Sequence, residues 1–279
     1  MITTAQEEYI EHHAYVPEHI TQYVTPVSQT EPHLFGDFLV YAKKGHFILV
    51  GYPLNETFEE KRLGKALEDA VKRFKPESVS LIAPAIPPSL RQGPHPPTDH
   101  YYRLDLSTIS ISQKLRNMLR RAGRELSVGK NPHFGQEHKK MVETFLKTHS
   151  ADEATRFIFQ RIDTYLSSSK TASIFEARTV DGDLVAFDVA EFKPRDYAVY
   201  MFNFRSESHY IPGASDLLLS AVMQQAIAEG KKYINLGLGI NPGVTFFKKK
   251  WRGVAFLPHA FCLYHPPRKD LMEMLLQRL

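Results

Sequence analysis

The chain has 279 residues, a hydrophobic fraction of 43%, a charged fraction of 24% and a formal net charge of +4. These values are ordinary for a globular protein of one large or two small domains, and they exclude disordered and fibrous classes. The small basic excess suits an anionic ligand but is too weak to indicate nucleic-acid binding on its own.

The N-terminal segment predicts neither a secretory signal nor a membrane span. Residues 1–8 are polar and acidic, with no basic region followed by an apolar one. No apolar run approaches the roughly 20 residues that a spanning helix needs. The single cysteine, Cys262, excludes an internal disulfide and fits a reducing compartment. We therefore expect a cytoplasmic protein whose contact with any membrane would be peripheral.

The first half of the chain has the pattern of an arm, a hairpin, a helix and a strand. Lys43-Lys44-Gly45 supplies turn chemistry between two apolar runs, and the following apolar residues recur at helical spacing. A proline-rich stretch then forbids both helix and ladder pairing. The predicted elements are an arm or short helix over 1–30, a hairpin over Phe35–Val50, a helix over Phe58–Phe74, a strand over Val79–Ala83 and a surface linker over Pro84–Pro97.

The second half alternates strands and helices in a more informative way. One helix carries a basic stripe at every fourth residue, and a Val-Asp-Gly-Asp turn joins the first two long strands. The predicted helices are Ile111–Leu126, Gln136–Lys147, Glu153–Leu166, Gly213–Glu229 and Asn241–Trp251, and the predicted strands are Tyr101–Leu106, Ala172–Arg178, Leu184–Phe192, Tyr197–Phe204, Tyr233–Leu238 and Ala255–Tyr264.

This order of elements predicts an α/β (α+β) protein with mixed central sheets flanked by helices. Both halves place a hairpin before a helix and then a strand, which makes a duplicated architecture plausible. We expect an N-terminal half over residues 1–107 and a C-terminal half over residues 108–279 that carries the principal binding site.

The loop before the helix that begins near Gly213 can bind an anion by its backbone alone. A strand ends near Phe204, Pro212-Gly213 makes a turn, and the helix start adds partial positive charge. The simpler interpretation is an ordinary turn with Ser215 or Asp216 as a helix cap. The following glycine-bearing strand and the lysine-rich turn after it favour the binding site.

Several segments of the chain resemble the GNAT superfamily of N-acyltransferases, in tandem form. The likeness is nearest to the branch of Fem-type aminoacyltransferases and the catalytic domain of lysylphosphatidylglycerol synthase. It covers the C-terminal half well and the N-terminal half only by architecture. The segments that carry it are Pro212–Leu218, Tyr233–Gly237, Asn241–Gly243, Phe247–Trp251 and the basic run Arg116–Ala122.

The resemblance implies a cleft between the strands on either side of the Gly213 helix. An activated donor would lie in that cleft, with its phosphates on the loop and its carbonyl on a strand amide. No tightly bound cofactor or metal is implied; the donor is an acyl-coenzyme A or an aminoacyl-tRNA. The implied donor contacts are Pro212, Gly213, Ala214, Ser215 and Asn241, and the implied carbonyl contacts are the amides of Asn203 and Phe204.

The sequence departs from the usual superfamily pattern at two places. Tyr210 and Ser215 occupy the outer positions of the phosphate loop, where Arg or Gln and Gly or Ala are usual. The tyrosine that often acts as a general acid is replaced by Phe246 or Phe247. Because of these departures, the pattern does not specify which donor binds. The lysines at 248–250 fit the Fem-type and lysyl-lipid branch, whose substrates carry phosphates.

Candidate proton-transfer groups come from the strands themselves. Asp188 and Glu191 interrupt an apolar strand on opposite faces, and Tyr200 lies on the next strand. A carboxylate on a half-buried strand often has a raised pKa, which suits a general base. The alternative for each carboxylate is a surface position or an arginine pair.

Basic residues on two helices predict contacts with an anionic acceptor. They are Arg116 and Arg120 on the basic stripe and Lys248, Lys249 and Arg252 at the lysine run. The expected partners are a small-molecule, lipid or peptide acceptor and a tRNA stem, while a solvated helix face is the alternative. The expected function is transfer of an acyl or aminoacyl group to an amine or hydroxyl. A non-catalytic binding module that keeps the fold is the competing interpretation.

Overall fold

The computed structural model describes residues 2–90 and 98–266 of the chain. The prolines Pro94, Pro96 and Pro97 of the predicted linker lie outside these residues. In the described part, no helix is both long enough and apolar enough to cross a membrane. Helices and strands are numbered separately in chain order, and the bounds are as follows: α1 Thr4–His13, α2 Thr21–Ser28, β1 Glu31–Phe35, β2 Phe38–Lys43, β3 His46–Val50, α3 Glu60–Phe74, β4 Ser78–Ala83, β5 Asp99–Asp105, α4 Gln113–Glu125, β6 Leu126–Asn131, α5 Gln136–Thr148, α6 Glu153–Phe159, α7 Ile162–Ser168, β7 Ala172–Thr179, β8 Leu184–Glu191, β9 Tyr197–Arg205, α8 Ala214–Ala228, β10 Tyr233–Leu238, α9 Pro242–Lys250 and β11 Val254–Tyr264.

The predicted α/β class with mixed sheets is confirmed. Most strand pairs are antiparallel, and β3–β4 and β9–β10 are parallel. The described residues form two compact units, one of residues 2, 30–90 and 260–266, the other of residues 3–29 and 98–259. The division at residue 107 into two GNAT-like halves stays a prediction.

The first unit is a small sheet covered on one side by α3. Its strands follow the order β1-β2-β3-β4, and β4 pairs with the last residues of β11, from Ala260 onward. Leu63, Ala66, Leu67 and Ala70 of α3 form one apolar face because they recur at helical spacing, and they are all buried. The predicted hairpin is confirmed as β2–β3.

The second unit contains a longer sheet in the order β11-β5-β10-β9-β8-β7-β6, with β11 contributing its residues up to His259. One face of this sheet packs against α8, through Leu218, Leu219 and Val222. The other face packs against residues of α5 and α7, such as Val142 and Tyr165. Strand β8 is buried along its whole length because both of its faces are covered.

The structure differs from the local predictions at three places. The segment over residues 1–30, predicted as an arm or short helix, contains two helices, with Pro26 inside α2. The predicted helix over Glu153–Leu166 is interrupted at Gln160–Arg161, where Arg161 has ψ 11° and begins α7 as its cap. Strands β1 and β6 were not expected, because β1 contains Pro32 and β6 buries only its first residue. Both are terminal strands in their sheets, where proline and polar residues are tolerated.

The start of α8 is pressed against α4 at a single glycine. Gly213 has φ +91°, and a Cβ atom there would lie 3.1 Å from both Ala122 Cβ and Met118 Cγ. Both the backbone conformation and the close approach therefore require glycine. The sequence turn at Pro212-Gly213 thus also fixes how closely α4 and α8 pack.

We expect Gly213→Ala to reduce the free energy of unfolding by about 2–3 kcal/mol, because it adds overpacking to backbone strain. Gly182→Ala is the matched control: Gly182 has φ +92° but no atom within 4 Å of an added Cβ. That variant should lose only about 1 kcal/mol. Denaturant unfolding of both variants measures the difference, and equal losses would contradict the packing role of Gly213.

Candidate functional site

The central feature of the second unit is the separation of two parallel strands. The β9–β10 ladder pairs Tyr197, Ala198 and Val199 with Tyr233, Ile234 and Asn235, and it pairs no later residue of β9 in the described chain. Strand β9 nevertheless continues to Arg205. The strand separation that the resemblance implies is therefore present.

Among the described residues, the edge of β9 that β10 leaves carries amides with no strand partner. The Ser206 N–H donates to the Val185 carbonyl on β8, at 2.7 Å. Since successive residues of an extended strand direct their N–H groups to opposite edges, Phe204 also directs its N–H towards β8. Asn203 and Arg205 then direct theirs to the edge that β10 has left. Of the two predicted carbonyl contacts, the register favours Asn203.

The strand β10 moves away because it bulges towards β5. The register between these strands shifts between Asn235 and Leu238. Gly237 lies in the bulge with φ +73°. The Asn235 side chain, which is fully buried, accepts the Gly237 N–H at 2.9 Å and so stabilises the bulge.

A cavity of about 220 Å³ opens at the start of α8. All four loop residues predicted to contact a donor, Pro212–Ser215, contribute to its wall. The N–H of Ala214 donates to Ile211 and that of Leu217 to Gly213, but the described chain supplies no backbone acceptor for the N–H groups of Ser215 and Asp216. The cavity thus has free amides and the positive end of a helix dipole in one wall.

A hydrogen-bonded chain links this wall to the sheet interior. The Ser215 hydroxyl donates to Asn203 Oδ1 at 3.1 Å, and Asn203 Nδ2 donates to Asp188 Oδ1. Three residues that the sequence proposed for separate roles therefore lie in one network. It spans β8, β9 and α8.

Asp188 is fully buried, with no arginine or lysine partner among its hydrogen bonds in the described chain. Burial raises the pKa of the Asp188 carboxyl to about 8, while the hydrogen bond from Asn203 and the nearby Tyr200 hydroxyl act in the opposite direction. Its second oxygen and the Tyr200 hydroxyl have no hydrogen-bond partner of standard geometry within the described residues. The contact between Asp188 and Tyr200 is thus a close approach, not a well-directed hydrogen bond.

Tyr200 lies on the same side of the sheet as Asp188. Burial, followed by the nearby Asp188 charge, raises the pKa of the Tyr200 hydroxyl well above its usual value. Its ring stacks on Phe247 of α9 at 6.4 Å between centroids. A neutral phenol and a protonatable carboxyl therefore lie side by side at the separation of the strands.

Glu191 does not join this group. Its carboxylate accepts from the Tyr165 hydroxyl at 2.7 Å and the Ser169 hydroxyl at 2.9 Å. It also accepts from the backbone N–H groups of Phe192 and Lys193. These four bonds place Glu191 on the opposite face of the sheet, where it fixes α7.

The predicted anion-binding residues are distributed over several surfaces. Arg116 and Arg120 are exposed on α4, and Arg116 donates to the Ile111 carbonyl at 2.9 Å. Lys249 and Arg252 are exposed near the end of α9. Asn241 caps α9, since its side-chain oxygen accepts the Val244 N–H at 2.9 Å.

Lys248 differs from the other basic residues because it is buried. Its Nζ donates to the Leu238 carbonyl at the end of β10. Burial lowers the pKa of Lys248 to about 7, although the charge of Asp99 raises it. Its amine therefore contacts the backbone of β10, not solvent.

Sequence reasoning missed the residue that holds α9 to α8. Asp216 is buried and accepts from the Trp251 indole at 2.8 Å and from Lys250 Nζ at 2.6 Å. Its local pattern indicates only a helix cap. The partners lie 34 and 35 residues further along the chain, so no local signal could have identified them.

Comparison with solved structures identifies the fold as one of the GNAT type. L-PGS from Bacillus licheniformis has a TM-score of 0.60 at 14% identity, covering 99% of this chain and 96% of that one. FemX has a TM-score of 0.60 at 10% identity, covering 100% and 99%. A GCN5-related N-acetyltransferase from Kribbella flavida has a TM-score of 0.52 at 12% identity, covering 89% and 94%.

At these identities the likeness establishes the fold. It confirms the resemblance to the Fem-type and lysylphosphatidylglycerol synthase branch at that level. No protein-family model matches the sequence, and no curated protein matches it.

The raised pKa of Asp188 has a consequence for stability. A carboxyl whose pKa rises from its usual 3.8 to about 8 on folding binds its proton more tightly in the folded state. The free energy of unfolding should therefore fall as the pH increases from about 4 to about 8, by up to about 1.4 kcal/mol per pH unit. Asp188→Asn should remove this dependence and make the protein more stable than the wild type at pH 8.

Denaturant unfolding at several pH values tests this expectation. Asp181→Asn, in the exposed turn between β7 and β8, is the control and should keep the wild-type slope. A wild-type slope in Asp188→Asn would mean that Asp188 is ionised in the folded protein at neutral pH.

Proposed function

We propose that this protein transfers an acyl or aminoacyl group from a phosphate-bearing activated donor to an amine or hydroxyl. The observation that carries the proposal is the free edge of β9 beside the start of α8, with Asp188 connected to both. The GNAT-type fold supports it, because the solved structures of this fold include one named an N-acetyltransferase.

The donor binds with its phosphates at the start of α8 and its carbonyl at the free edge of β9. Free amides at a helix start bind phosphate oxygens without a basic side chain. The Asn203 amide stabilises the negative charge that develops on the carbonyl oxygen, a contribution of about 3 kcal/mol in comparable sites. Both contacts come from backbone, which agrees with the absence of the usual basic residue at Tyr210.

Asp188 and Tyr200 move the protons. The attacking amine or hydroxyl forms a bond to the carbonyl carbon and gives its proton to Asp188. The bond to the leaving sulfur or oxygen breaks, and the Tyr200 hydroxyl protonates that atom. Asp188 then returns its proton to Tyr200, so that both groups regain their starting states.

The donor is an acyl-coenzyme A or an aminoacyl-tRNA, and the acceptor is anionic. Lys249, Arg252, Arg116 and Arg120 are exposed and would bind a lipid head group, a peptide carboxylate or a tRNA phosphate. Lys248, whose amine lies at the end of β10, would bind the part of the acceptor that enters the cleft. Asn241 would contact the donor through its side-chain nitrogen, since its oxygen caps α9.

The phosphate site is tested by adding charge to the start of α8. Ser215→Glu should weaken the binding of coenzyme A or aminoacyl-tRNA about tenfold or more, because a carboxylate would repel the phosphates. The helix itself should not be destabilised, since acidic residues are favourable in a first turn.

Ser215→Gln is the matched control, with the same length and no charge. Calorimetry on both variants measures the difference between them. Equal affinities in the two variants would contradict phosphate binding at this helix start.

The proton-transfer step is tested by the pH dependence of the rate. Because a base acts when ionised, kcat/KM should rise about tenfold per pH unit below pH 8 and level off above it. Asp188→Asn should lower the rate by about 10²–10⁴-fold and remove this limb of the profile, while Asp181→Asn should leave both unchanged.

The alternative function is a binding module without catalysis. It predicts that a donor binds and that Asp188→Asn changes neither its affinity nor any turnover of that donor. The transferase proposal requires wild-type turnover with at least one of the two donor classes. Tyr210 lines the cavity and is 59% exposed, and a volume of about 220 Å³ remains for a ligand.

A further inference from the structure

Two residues at the cavity have no part in the reaction described above. Arg205 ends β9 and Tyr210 lies in the loop that follows, and both line the cavity. The Arg205 guanidinium carbon lies 5.3 Å from the centre of the Tyr210 ring, so the two side chains stack. In the sequence, Tyr210 is only a departure from the phosphate-loop pattern, and Arg205 belongs to no motif.

Arg205 forms no ion pair in the described part of the chain. Its guanidinium group contacts the Tyr210 ring. The nearby acids have other partners: Glu207 accepts from Thr148, and Asp216 binds Lys250 and Trp251. An exposed arginine in this situation is available to an anionic ligand.

The Tyr210 ring is also available. It is 59% exposed, a large fraction for an aromatic side chain at the wall of a cavity. Exposed aromatic rings and guanidinium planes are the surfaces on which nucleobases stack, and the guanidinium group binds phosphate through two parallel hydrogen bonds. The same cavity is lined by Ser215 and Asp216, whose N–H groups have no backbone acceptor in the described chain.

We propose that Arg205 and Tyr210 form a nucleotide subsite, in which Tyr210 stacks on the base and Arg205 binds a phosphate of the same nucleotide. The inference rests on the proposed function, because an adenosine with phosphate is the chemistry that coenzyme A and the end of an aminoacyl-tRNA share. The subsite would hold the nucleotide part of the donor outside the cleft. The reacting carbonyl would lie at the Asn203 amide, on the free edge of β9.

The probes separate the base from the phosphate. Adenosine 3′,5′-bisphosphate contains both groups, and inorganic pyrophosphate contains only the second. Tyr210→Ala should weaken binding of the bisphosphate about tenfold and leave pyrophosphate unchanged, whereas Tyr210→Phe keeps the ring and should bind within about twofold of wild type. Arg205→Ala should weaken both probes about tenfold or more, and Arg205→Lys should recover part of that loss because it keeps the charge without the planar fork.

Arg161→Ala is the control for a general loss of positive charge. Arg161 stacks on Phe157 at 3.5 Å in another part of the second unit, so it is a matched cation–aromatic pair. Calorimetry with the full chain measures each affinity, and thermal unfolding verifies that each variant folds. Unchanged bisphosphate binding in Tyr210→Ala and Arg205→Ala would overturn the proposal.

The two donor classes form the last arms of the experiment. Coenzyme A and a short RNA ending in CCA are compared in wild type and Tyr210→Ala, and the donor that loses affinity is the one whose nucleotide uses the subsite. Acyl transfer that persists at the wild-type rate and affinity in both variants would overturn the subsite and leave the transferase intact. Bisphosphate binding that depends on Tyr210, without transfer from either donor, would support the subsite and contradict the transferase.

Discussion

The separation of β9 from β10 is the constraint on which the rest of the site depends. A strand inside a sheet normally uses every N–H group, and an unpaired edge inside a fold is costly unless a ligand or water takes the place of the missing strand. Here β10 leaves β9 after Asn235 because the Gly237 bulge redirects it towards β5. The Asn203 amide becomes available by this departure, and the cavity lies at the same level as the start of α8.

The geometry of that opening is held by contacts from three directions. Gly213 lets α4 approach the start of α8 closely. Asp216, two residues into the same helix, holds the end of α9 through Trp251 and Lys250. The interior of the sheet is connected through Asn203, which bridges Ser215 and Asp188. The loop is therefore fixed at its base while Tyr210 and Arg205 at its outer side are exposed.

Burial gives the chemical groups their character. Asp188 lies in a sheet interior without a basic partner in the described chain, so the protonated form is favoured near neutral pH. Glu191, three residues later on the same strand, accepts four hydrogen bonds and serves the fold. The two carboxyl groups look alike in the sequence but differ in their surroundings. The face of the sheet that carries Glu191 supplies several hydrogen-bond donors, whereas the face that carries Asp188 lies beside the opening between β9 and β10.

The sequence by itself determined most of the helices and strands, since the spacing of apolar residues fixes periodicity and the face that an element buries; it did not determine the edge strands β1 and β6, which bury little. It also indicated the turn at Pro212-Gly213 and the unusual position of Asp188 in an apolar strand. Only the tertiary structure decided which of the polar residues meet. Asp188, Asn203 and Ser215 come together through strand register and helix docking, and Asp216 finds Trp251 across 35 residues. Periodicity specifies the face of a side chain but not its neighbour, because the neighbour depends on pairings between distant parts of the chain.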